Sequence, residues 1–348
     1  MKRWIQRPPG SNWGDFGDDD ELGRINLLTP ERVLAAVREV QAGRVFCLSL
    51  PLDLPGGNLL NPRRHPPRRF ATVRGPGQPA YNFLMRHLDP RQVDVASDDA
   101  VLMALQYSTQ WDSFAHIGAL FDADGDGVPE PVYYNGFRAG VDVVAPAWRA
   151  GPVDWCCAEG VEAKRLGIET MAAAGVQGRG VLIDLHAVAG RERRLIGWDA
   201  LARAMDTQGV EVEAGDLVCL WTGFDRVILE QAGRPSADVL HGSCATLDGR
   251  DERLLQWITD SGLVALISDN YAVEQHPLEP PPGEDVFAAL PLHHHCLFRL
   301  GVHLGELWHL AELADWLRAH GRNRFLLTAP PLRLPGAVGS PATPVATV

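Results

Sequence analysis

A chain of 348 residues with 46% apolar and 22% charged side chains can bury enough surface to offset its conformational entropy, which excludes a disordered chain. Its 32 basic and 44 acidic residues leave a formal charge of −12, which argues against a nucleic-acid partner. No run approaches ~18 consecutive apolar residues, and the opening MKRWIQRPPGSNWG lacks the apolar core of a signal peptide, so a cytoplasmic protein without a membrane segment is expected.

Residues 1–30 read as an N-terminal extension, polar over 11–30 and carrying the acidic run Asp18 to Glu21. Thr29 and Pro30 open a predicted helix that Gly43 would close, with Val33, Val37 and Val40 on one face. FCLSLPLDLP (46–55) reads as a strand. Residues 56–90 are dominated by Gly, Pro and Arg, with Arg63, Arg64, Arg68 and Arg69 around His65. A connection this long reads as a solvated loop, or as a lid receiving an anionic substrate.

A helical pattern returns over 159–174 and is closed by Gly175. VLIDL (181–185), DLVCLWTGF (216–224) and LVALIS (263–268) are compact apolar runs suited to buried strands. Between the last two, Asp248 is the expected cap of a helix with Leu254, Leu255 and Ile258 inward. A helix at 310–321 and a strand at 325–330 follow, and residues 330–348 read as a flexible, proline-rich tail. No composition break divides residues 31–329, which are expected to form a single mixed α/β catalytic domain. The six cysteines form no C-x-x-C pair, and buried thiols are the expectation.

Several common motifs fail. DADGDG (122–127) opens like a calcium loop, but Tyr133 stands where a bidentate Glu is needed, so a tight acidic turn is expected. HGSCAT (241–246) puts Ser243 and Cys244 near His241, but adjacency in sequence does not make a nucleophile. Two segments stand out instead: Gln106 to His116, and Leu292-His293-His294-His295-Cys296 followed by Glu306. Carboxylate oxygen and imidazole nitrogen are the ligands that water-activating divalent ions prefer. By spacing alone these residues also fit a buried histidine beside ordinary acids.

TQWDSFAH (109–116), YYNG (133–136), SNWGDFGDDDELGRINLLTPE (11–31), RGVLIDL (179–185), GDLVCLWTGF (215–224), ISDNYAVE (267–274) and LHHHCLFRLGVHLGE (292–306) occur in that combination along the chain. Together they resemble the cyclase family that includes kynurenine formamidases and isatin hydrolases, over roughly residues 11–328. The resemblance implies a mixed β/β/α, swivelling-type fold with a barrel-like sheet and flanking helices, assembled as a homodimer or homotetramer. It implies hydrolysis of an amide, lactam or related cyclic bond in a small-molecule substrate, by metal-activated water. Residue by residue, it makes His116 the general base and Asp112, His294 and Glu306 ligands of a divalent ion, zinc or manganese. Gln106 and Gln110 stand where the family has two ligand histidines, which weakens the site for zinc; Gln110 is left as a weak ligand and Gln106 as a substrate contact. Trp111 and Phe114 are candidate walls for an aromatic substrate, with packing as the alternative. The missing imidazoles keep open a metal-poor cyclase, dehydratase or isomerase using His116 and Asp112 as an acid–base pair. A non-catalytic metabolite-binding protein is the third possibility, and the retention of Asp112, His116, His294 and Glu306 together weighs against it.

Overall fold

The computed structural model describes residues 2–146, 160–283 and 285–348. Cys156, Cys157 and the first residue of the helix predicted at 159–174 lie outside them; within them, that helix spans only Ile168–Ala174.

Among the described residues the largest sheet has nine strands. In chain order these are β1 (Val45–Cys47), β2 (Gln110–Asp112), β3 (Gln177–Asp184), β4 (Leu217–Trp221), β5 (Ala265–Ser268), β6 (His303–Glu306), β7 (Arg324–Thr328), β8 (Gly339–Pro341) and β9 (Val345–Thr347). Their spatial order is β1-β9-β7-β3-β4-β5-β6-β2-β8. The centre, β3 to β6, is parallel. Antiparallel strands extend it on both sides. The three apolar runs picked out in the sequence are β3, β4 and β5; β4 and β5 are buried along their whole length, as a strand covered on both faces must be.

Six helices matter for the layers: α1 (Pro30–Val37), α2 (Ile168–Ala174), α3 (Trp198–Gln208), α4 (Phe224–Gln231), α5 (Glu252–Ser261) and α6 (Ala311–Ala319). Leu201 and Met205 of α3 and Leu254 and Ile258 of α5 pack on one face with Val218 and Leu220, while Leu313 and Leu317 of α6 pack on the other with Leu217 and Cys219. This mixed α/β architecture is the fold class expected. Helix α1 starts at Pro30 but stops at Val37, well before Gly43, and Val37 is exposed. Helix α5 is capped by Asp251, not Asp248: its carboxylate accepts from Arg253 N and Leu254 N, and also from Trp198 N at 2.7 Å.

One terminal expectation needs correction. Residues 330–348 are not a loose tail: β8 pairs with β2, β9 lies between β1 and β7, and Ala346 and Val348 are fully buried. Proline is tolerated there because Pro341 ends an edge strand. The opening segment packs onto its own chain. Trp13 is buried and donates its indole N–H to Phe298 O at 2.8 Å, and Arg24 donates to the Ile258, Thr259 and Leu263 carbonyls. The backbones of Gly23 and Gly301 meet directly, both at positive φ, and a Cβ at Gly23 would collide with Gly301 O.

Candidate metal centre

The centre lies where β2 meets β6, at the C-terminal end of the parallel strands. Their antiparallel register sets Gln110 opposite Glu306 and Asp112 opposite Leu304. Side chains alternate along a strand, so Gln110 and Asp112 share a face and Trp111 takes the other. Gln110 donates from Nε2 to Glu306 Oε2 at 2.9 Å, and Gln106 donates to Asp112 Oδ1.

The third group arrives from the covering layer. A turn of helix at Pro291–His293 runs into a π-helix, His294–Leu300. The buried carboxylate of Glu274 seals its start, accepting from Leu292 N at 2.9 Å and His293 N at 2.8 Å. The same carboxylate contacts His293 Nδ1 at 2.7 Å. That fixes the ring so that Nε2 faces the sheet, 3.2 Å from Glu306 Oε1 and 3.9 Å from Asp112 Oδ2. Ligand atoms of Asp112, His293 and Glu306 therefore lie within 4.8 Å of one another, and all three residues are buried.

The imidazole of this group is His293, not His294. Three consecutive histidines on a helix point in three directions, and Glu274 selects the first. His294 packs against Phe298 with ring centroids 4.9 Å apart and faces a different cavity. Burial, aided by the charge of Arg299, pushes it down to about 4. Neither aromatic candidate lines the site. Trp111 is buried in the opposite layer, edge-on to Trp308 at 5.0 Å, with its indole N–H on Ala329 O. Phe114 is buried between His303, stacked at 4.0 Å, and Tyr134 at 4.9 Å.

The donor set fits a hard or borderline divalent ion. Asp112 Oδ2 and Gln110 Oε1 are buried acceptors without a hydrogen-bond donor, and Glu306 Oε1 has only His293 Nε2 beside it at 3.2 Å; such burial is costly unless a cation or its equivalent meets these oxygens. Burial opposes charge on His293, but its contacts with Glu274 and Glu306 outweigh this and push it up to about 10. Glu306 is likewise held below the usual carboxylate range despite its burial, chiefly by His293. Two buried carboxylates thus demand a positive charge, which a proton on His293 or a metal ion on its bare nitrogen can supply.

The Cyclase family model matches residues 48–275. The chain belongs to the cyclase family. A crystal structure described as a novel cyclase is 30% identical, with a TM-score of 0.73, and the match covers 99% of this chain and 100% of that one. Isatin hydrolase A from Labrenzia aggregata, solved with benzyl benzoate, is 15% identical over 88% of this chain and 93% of its own, with a TM-score of 0.54. Isatin hydrolase A from Ralstonia solanacearum is 16% identical over 91% and 97%, with a TM-score of 0.50. At those identities the two hydrolases show a shared fold. A search of curated proteins found no match.

In this cyclase-family chain His116 stands beside the triad, its ring centroid 6.5 Å from that of His293. Burial lowers its pKa, against the pull of Asp112, which favours the neutral ring. Arg64, from the basic loop, donates to Gln106 O at 2.9 Å, and its charge reaches His116, Glu306 and Tyr271. Arg64, Asn61, Gln106 and Tyr271 line one pocket next to the triad. Glu274 sits in the ISDNYAVE block and His293 beside the expected ligand His294, but neither stands out by residue type alone. Among the described residues no helix is long and apolar enough to cross a membrane.

Proposed function

We propose that this chain is a metal-dependent hydrolase that opens the C–N bond of an amide, lactam or related cyclic substrate. The observation that carries this reading is the buried Asp112–His293–Glu306 group, in which Asp112 Oδ2 and the neighbouring Gln110 Oε1 lack donors, with His116 beside it. Asp112, His293 and Glu306 would hold the ion and the Gln110 amide oxygen would complete the protein ligands; this oxygen-rich set suits manganese or zinc. When bound, such an ion lowers the pKa of water and polarises a carbonyl. Glu274 keeps His293 in the tautomer that presents Nε2. Gln106 holds Asp112 through the oxygen that does not face His293. His116 accepts the proton of the attacking water and returns it to the leaving nitrogen. Arg64 neutralises the carboxylate that hydrolysis produces.

The test is elemental analysis of the purified protein, followed by turnover of N-formyl anilides and lactams before and after chelation. The expected result is bound manganese or zinc, activity lost on chelation and activity restored by the metal. Turnover that persists with a metal-to-chain ratio near zero overturns the reading in favour of metal-independent acid–base chemistry by His116 and Asp112.

A further inference from the structure

The π-helix that begins beside His293 has a second face. His294, His295 and Arg299 project into a cavity of about 610 Å³ between this helix, residues 286–291, Leu255 of α5 and the segment Ile117–Leu120. That volume lies within the range of small-molecule sites. The walls are apolar: Ile117, Leu120, Leu255, Phe287 and Leu290. Phe287 and Leu120 are exposed, so apolar surface continues to the mouth.

Arg299 is the anomaly in that wall. Its guanidinium is half-buried, and its Nε is a fully buried donor without an acceptor. Among the described residues its side chain makes no ion pair, and no carboxylate offsets the burial that lowers its pKa. His295 is 7% exposed and contacts Thr259 Oγ1 through Nε2 at 2.9 Å, which leaves Nδ1 buried and unpartnered. A half-buried cation whose buried Nε has no acceptor carries part of that desolvation cost, and a ligand that brings an anion to it relieves the cost.

We propose that this cavity is a second ligand site, separate from the metal centre, for a monocarboxylate with an apolar body. The carboxylate meets Arg299, with a charge-assisted bond from the orphaned Nε, and the body lies along Leu120, Leu255, Phe287 and Leu290. Size and apolarity alone would admit neutral ligands equally well; the unpaired guanidinium is what selects an acid. The inference does not depend on the reaction proposed for the metal centre.

The experiment is calorimetric titration of the full-length protein with decanoate and with decanol, at equal ionic strength. Decanoate is expected to bind at least about tenfold more tightly than the alcohol, the scale of one charge-assisted hydrogen bond. Arg299→Met should remove that preference while leaving decanol binding in place. Leu120→Asp, at an exposed position on the rim, should weaken both ligands through lost apolar contact and decanoate more than decanol through charge repulsion, and serves if the first variant does not fold. Equal binding of acid and alcohol, no binding of either, or a decanoate preference that survives in a folded variant each overturns the proposal.

Discussion

Asp112, His293 and Glu306 on one side, and Asp122, Asp124 and Glu130 on the other, each bring three ligand atoms within 4.8 Å. The two groups differ in what else those atoms do. In the first, all three residues are buried, Asp112 Oδ2 has no donor, and Glu306 Oε1 has only His293 Nε2 beside it. In the second, Asp122 is consumed by its own turn, accepting from the backbone N–H of Gly125, Asp126 and Gly127. Arg138 then lies between Asp124 at 3.2 Å and Glu130 at 2.9 Å, supplying the positive charge from within the chain. The first group came from two strands and a helix start far apart in sequence; the second came from a local acidic motif. Both groups keep buried oxygens that accept no hydrogen bond, Asp124 Oδ1 and Glu130 Oε1 among them, so what separates the candidate centre from the turn is the full burial of the first group and the guanidinium that already serves the second.

The comparison breaks hardest at His116. If the first group positions a reaction, His116→Ala should lower turnover by about 10²- to 10⁴-fold, the usual contribution of a general base, while bound metal is unchanged. Steady-state rates alongside elemental analysis check this. Loss of metal together with activity would make His116 a ligand, and unchanged turnover would remove it from the chemistry.

A smaller effect is expected one step back from the ligands. Glu274→Gln keeps an acceptor for Leu292 N and His293 N but loses the charge that aligns the His293 ring. Metal affinity should fall by roughly 10- to 100-fold, as for other groups that orient a ligand histidine. Competition with a chelator of known affinity measures it. An unchanged affinity would mean that the helix start alone orients His293.

These two residues also mark where the sequence was readable. Asp112, His116 and Glu306 stood out by type and by family resemblance, and the central strands by apolar runs. The alternation of a strand already told against Trp111, because it stands between two residues that face the site. Choosing among His293, His294 and His295 needed the rotation of a π-helix and the position of Glu274, eighteen residues upstream of Leu292 and brought in only by the fold. The C-terminal strands were missed for a related reason. Gly339–Pro341 and Val345–Thr347 are too short and too rich in proline and small residues to show a strand period, and their partners are β1, β2 and β7 rather than neighbours in sequence.

The smallest effect belongs to the second acidic group, and it is the sharpest control. Asp124→Asn removes one side of an Arg138 pair whose members are both about two-fifths exposed. Exposed pairs contribute only about 0.2–1 kcal/mol, so thermal stability should drop by a few degrees at most. Metal content should not change, and added calcium should raise the melting temperature of neither the parent nor the variant, because a ligand stabilises only where it binds. Calcium-dependent stabilisation of the parent that disappears in Asp124→Asn would show that Arg138 yields its place to a cation, and the distinction between the two groups would then rest on burial rather than on charge already met.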